Sequence, residues 1–170
     1  MQVLIRYYIE LCLLRRAPQD LPASTALFWT VLAVDLAVGL VVGLAAGLPL
    51  GASLAQDLFE AALMLGALYA GLYLTRHPER FLQSASALLG SSALISLAAL
   101  APLSLNPTGS EETDAAALGA LLLLAILAWS IVVTGHILRH TFAIGLGQGA
   151  AIAVAFQILA ISLLGGLFGG

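Results

Sequence analysis

The chain has 170 residues, 61% of them hydrophobic and 9% charged, with a net charge of −3 and a mean hydropathy of +1.06. Soluble domains carry about 25% charged residues, so this composition describes an integral membrane protein and excludes an ordinary soluble enzyme. There is no lysine and there are only six basic residues, all arginine, which excludes nucleic acid as a partner, since a phosphate backbone calls for a basic surface.

A helix needs about 20 residues to cross a hydrocarbon core of roughly 30 Å, and the apolar runs allow about five such spans. The expected fold is all-α: one membrane domain over 1–170, a polytopic bundle of five transmembrane helices preceded by a short interfacial amphipathic helix. That first segment, MQVLIRYYIELCLLRR (1–16), sets Gln2, Arg6 and Glu10 on one stripe of a helix. It is too short and too charged to span. It is expected in the interface, with Arg6, Arg15 and Arg16 toward anionic headgroups, or docked on the bundle. No clean apolar core with a small-residue cleavage site is present, so it reads as retained rather than as a signal peptide. Cys12, the single cysteine, reads as a small apolar filler. Pro18 and Pro22 break the helix, and Ser24 or Thr25 offers an N-cap for the next.

Span one, 26–48, contains DLAVGLVVGLAAG (35–47). Asp35, Gly39, Gly43 and Gly47 recur every four residues, which keeps them on one face. In a membrane such a face packs another helix, because small residues let backbones approach and lipid supplies no rival hydrophobic drive. Gly39, Gly43 and Gly47 are therefore predicted as packing positions, with Asp35 buried against span two or three, neutral and hydrogen-bonded. A turn at 49–51 leads to span two, 52–75, which carries Asp57, Glu60 and a second small-residue row, Ala62, Gly66 and Ala70. Span three, 81–103, is rich in hydroxyls, Ser91 and Ser92 among them. An acidic loop, 106–114, precedes span four at 115–138. Arg139 and His140 are the predicted link to span five, 141–164, which holds Gly145 and Gly149 as packing positions and Gln157 as a polar residue. The glycine-rich tail, 165–170, has no helical preference.

Folding spans one and two about 49–51 puts Asp35 and Glu60 within about 7 Å of one another in depth, at 1.5 Å per residue. A carboxylic acid at mid-membrane costs on the order of 3 kcal/mol on insertion scales and is a functional candidate by default. No arginine lies at that depth. The carboxyls are then neutral hydrogen-bond donors or sit in a hydrated crevice. One reading is a proton or cation path along Asp35, Asp57 and Glu60; the other is a structural acid held by Ser91, Ser92 or Gln157. His136 and His140 have the spacing of two imidazoles on one metal face, but the predicted end of span four falls between them. Interfacial capping is the plainer role, and no metal or cofactor is expected. The chain has no nucleophile elbow, no phosphate-binding glycine loop and no H-E-x-x-H; no catalytic residue is expected.

Orientation follows from the arginines. Arg6, Arg15 and Arg16 precede span one, Arg76 and Arg80 lie between spans two and three, and Arg139 lies between spans four and five. All fall on one side of a five-span chain, so the positive-inside rule gives a cytoplasmic N-terminus and an outside C-terminus.

PQDLPAS (18–24) and GHILRH (135–140) resemble small proteobacterial inner-membrane proteins of unassigned function. With the cytoplasmic N-terminal segment and five spans, these are similar to the Yip family, whose eukaryotic members interact with Rab GTPases in Golgi trafficking. The resemblance implies a bacterial inner-membrane location and this topology, and brings no catalytic residue. The functional expectation is a non-enzymatic interaction or assembly module, packing against another membrane protein or a second copy and touching membrane lipids. The alternative is a small transporter or proton-conducting subunit using Asp35 and Glu60.

Overall fold

The computed structural model describes residues 2–105 and 113–168. Most of the predicted acidic loop, 106–112, and the last two residues lie outside the described residues. Those described form six α-helices and no strand: α1 (Gln2–Cys12), α2 (Thr25–Ala45), α3 (Leu50–Leu74), α4 (Phe81–Leu103), α5 (Asp114–Phe142) and α6 (Leu146–Phe168), with short 3-10 turns at Pro18–Asp20 and Pro78–Arg80. The last five helices are each long and apolar enough to cross a membrane. The chain is a multi-pass helical membrane protein.

Local chemistry sets the helix ends. Ser24 Oγ accepts the Leu27 N–H at 3.3 Å, and Thr113 Oγ1 accepts the Ala116 N–H at 3.1 Å, each satisfying an orphan donor of a first turn. The C-termini of α1, α2, α3 and α5 end on left-handed residues, Leu14 (φ 62°), Gly47 (φ 82°), Arg76 (φ 61°) and Ala143 (φ 56°). In each, the next residue's N–H reaches back five positions: Arg15 to Glu10, Leu48 to Gly43, His77 to Leu72 and Ile144 to Arg139. This is the Schellman closure.

Two predicted boundaries shift as a result. Gly47 is not a packing position: it supplies the positive φ that ends α2, and a Cβ there would meet nothing within 4 Å. Arg139 and His140 are not a link, because α5 runs on through both to Phe142 and turns at 143–145. Gly145 is likewise no packing residue; its N–H donates to Gln148 Oε1 at 2.9 Å, capping the start of α6. At the other end α6 continues through Gly165 and Gly166. Each glycine costs a helix only about 1 kcal/mol, while an unpaired backbone in lipid costs several.

α4 is the axis of the bundle. Half of its apolar window is buried, against 11–17% for the other four spans. Its sequence explains this, since Ser84, Ala85, Ser86, Ala87, Gly90, Ser91 and Ala93 are all small and buried and admit neighbours on every side. α2 and α5 both pack on α4, α6 pairs with α5, and α3 pairs with α2. α5 and α6 approach backbone to backbone. A Cβ on Gly149 would run into the Gly135 carbonyl, and one on Gly135 would stand 2.7 Å from the Ala150 nitrogen.

Candidate functional site: an acidic cavity between α2, α3 and α4

The α2–α3 hairpin folds tightly enough that glycines of α2 receive polar side chains of α3. Gly39 accommodates the Asp57 carboxyl, which would lie 2.9 Å from a Cβ placed there, and Gly43 accommodates Ser53, which a Cβ would strike. These pairs fix an antiparallel register centred on Leu48. The turn expected at 49–51 would have set Asp35 about five residues from Glu60 in depth. The register sets it opposite Ala61, about one residue away, so the two carboxyls are nearly level. The cause is the Schellman closure at Gly47, which ends α2 early and lets α3 begin at Leu50.

This register gathers three acids around one space. Asp35, Asp57 and Glu60 line a cavity of about 120 Å³ with Gly39, Ala61, Met64, Ser92 and Ser96. Ser92 of α4 lies beside the Asp35 carboxyl of α2 on the wall of this cavity. Asp57 Oδ2 is buried and has no hydrogen-bond partner among the described residues. Of the other polar positions singled out in the sequence, Ser91 turns away from Asp35 and donates to its own helix at the Leu88 carbonyl, 3.0 Å. Gln157 lines a separate, larger groove. Ser53 and Ser96 were not foreseen as part of this region. Ser96 could have been found from its spacing of four from Ser92 on a helix face, Ser53 only from the hairpin register.

The small-residue rows divide. Gly39 and Gly43 are used within the chain, as is Gly149. Ala62, Gly66 and Ala70 are exposed on the outer side of α3, and a Cβ on Gly66 would meet nothing within 4 Å. Gly90, which receives the Tyr8 ring, and Gly135 are close-packing positions that the sequence did not single out.

At the arginine-bearing end of the bundle, α1 docks instead of lying free in the interface. Tyr8, Leu11 and Cys12 are buried, with Tyr8 Oη donating to the Ser86 carbonyl at 3.0 Å and Trp129 Nε1 to the Cys12 carbonyl at 3.0 Å. The opposite side of α1 is apolar and open, Val3 being 85% exposed. α5, with 29 residues, is about 43 Å long and exceeds a core of roughly 30 Å. Its last turns form the post on which the N-terminal segment hangs. His136 Nε2 donates to the Arg16 carbonyl at 2.8 Å, since a carbonyl only accepts, and Gln19 Nε2 donates to the His140 carbonyl at 2.8 Å. The two histidines share a helix face with ring centroids 4.7 Å apart, and among the described residues no group of three potential ligands surrounds them. Arg6 and Arg16 pair with Glu10 at 2.9 and 2.8 Å, so Arg15 is the exposed arginine of this segment without an ion pair among the described residues.

The class that fold and site define is a five-span helical membrane protein with a carboxyl-lined cavity at mid-depth. Family models, curated proteins and solved structures yield no match to the chain.

Proposed function

We propose that the chain is a small, non-enzymatic membrane carrier that binds a proton or another cation at Asp35, Asp57 and Glu60. The observation that carries this reading is the convergence of three carboxyls on one cavity with no basic residue in their part of the spans. Magnitudes favour it over a purely structural role. Two acids at mid-membrane cost on the order of 6 kcal/mol, whereas one hydrogen bond returns about 1 kcal/mol. A protein with a total stability of about 5–15 kcal/mol retains such a deficit where the acids have work to do. A cavity of about 120 Å³ also has room for about four waters at roughly 30 Å³ each, which suits a proton-accessible crevice. We place the protein in a bacterial inner membrane with its N-terminus cytoplasmic and its C-terminus periplasmic, on the support of the arginine distribution and the Yip-like motifs.

In proteoliposomes under a pH gradient, Asp35→Asn is expected to slow proton flux at least tenfold relative to wild type. Equal flux from the two proteins would overturn the reading.

A second reading, an interaction module, rests on the outward row Ala62, Gly66 and Ala70, which is exposed among the described residues. In membranes, Gly66→Cys on a Cys12→Ser background is expected to form a disulfide-linked dimer or an adduct with a partner on mild oxidation. A chain that stays monomeric under all oxidants would remove this reading.

A further inference from the structure

Beside the acidic cavity runs a much larger groove of about 710 Å³, walled by α3, α4, α5 and α6. Its lining is mainly apolar, with Leu68, Leu88, Ile95, Ile126 and Phe156 on its walls. Glu60, Met64, Ser92 and Ser96 line both spaces, so the groove adjoins the cavity. α3 touches α4 and α6 only sparsely, which leaves the groove open sideways between those helices, toward the bilayer.

Size and charge together select an occupant. A spanning helix about 10 Å across and 30 Å long fills on the order of 2,400 Å³, several times the space available, whereas small-molecule sites run from about 300 to 1,000 Å³. A phospholipid matches the apolar walls, but its phosphate would face Glu60, with Asp35 and Asp57 in the adjoining cavity behind it. The six arginines, at 6, 15, 16, 76, 80 and 139, are all placed at helix ends or in the N-terminal segment, and the chain has no lysine. The complementary ligand carries the opposite charge. We propose that the groove binds an amphipathic organic cation, its apolar body along α4, α5 and α6 and its charged head at Glu60, Asp57 and Asp35. This rests on the carrier reading and names its substrate class. The head is held by charge and the body by burial of apolar surface at roughly 25 cal/mol per Å², with entry from the bilayer between α3 and α6.

The test uses the purified full chain in lipid nanodiscs with radiolabelled tetraphenylphosphonium, whose charge does not titrate, and tetraphenylborate as an anion of the same shape. Saturable binding of the phosphonium and none of the borate is expected. Glu60→Gln should raise the phosphonium Kd at least tenfold. Ala99→Trp, which fills the groove away from the acids, should do the same without touching any carboxyl, so a fold defect in one variant does not decide the matter. No saturable phosphonium binding by the wild type, equal binding of the borate, or Kd values unchanged in both variants would overturn the proposal. If proton flux still depends on Asp35 in that event, the ligand class falls and the carrier reading stands. If flux is the same in Asp35→Asn, the carrier reading falls with it.

Discussion

Three of the four left-handed helix ends are occupied by residues with a Cβ, Leu14, Arg76 and Ala143. An L-residue in this conformation costs roughly 1–2 kcal/mol relative to one that tolerates it, and glycine is the usual occupant of the position. Ala143→Gly is therefore expected to stabilise the α5–α6 hairpin by about 1 kcal/mol, measured as a higher midpoint in thermal or denaturant unfolding in detergent. Gly47 shows the limit of reading a residue by its spacing. It stands in register with Gly39 and Gly43, yet its work is conformational, because the helix has ended by then. Gly39 and Gly43 could be recognised as packing residues from the sequence, but that they receive a carboxyl and a hydroxyl from α3 depends on a register that no local pattern encodes.

At the scale of the element, α1 carries the sharpest consequences. Its inner side is closed by Tyr8 and by the Trp129 bond to the Cys12 carbonyl, and burial pushes the Cys12 thiol up to about 11. At pH 7 the thiolate fraction is then on the order of one in ten thousand. Maleimide is expected to leave Cys12 unlabelled in wild type and to label it in Tyr8→Ala, where the plug over Gly90 is lost; mass spectrometry distinguishes the two. The Glu10 carboxyl on the same helix is held below its ordinary 4.5 by Arg16 first and then Arg6. A lowered folded-state pKa means that its contribution is present above the ordinary value and is lost as pH falls through the lowered one. Docking of α1 should therefore weaken as the pH falls below the ordinary 4.5, read from Trp129 fluorescence in a Trp29→Phe background, and should be level above it. The sequence left open whether this helix floats or docks. Docking is decided by Gly90, Ser86 and the protruding end of α5, all more than 70 residues away in the chain.

For the whole molecule, the arrangement around α4 explains why one end is closed and the middle is not. The arginine-bearing end is knit by bonds between distant segments, including Arg80 to the Thr141 carbonyl at 2.9 Å, Gln83 to the Leu21 carbonyl at 2.7 Å and Thr141 to Ser84 at 2.9 Å. PQDLPAS and GHILRH meet here through Gln19 and His140. At mid-depth α3 leans on α2 and barely meets α4 or α6, and the acidic cavity and the groove lie in the gap. A carrier needs this division between a fixed end and a loosely closed middle, since the loosely packed elements are those able to open.

Composition and run length by themselves determined the class of protein, the five spans and the amphipathic character of residues 2–12, because lipid leaves a chain of this hydropathy few alternatives to helices. The arginine pattern, by the positive-inside rule, gave an expected orientation. Tertiary structure alone decided which glycines pack and which turn, that Asp35 stands beside Ser92 and not Ser91 or Gln157, and that Asp57 joins Asp35 and Glu60 at one cavity. The physical reason is that spacing along a helix fixes which residues share a face. What that face meets is set by the register between helices, and here a single left-handed glycine shifted that register by about four residues.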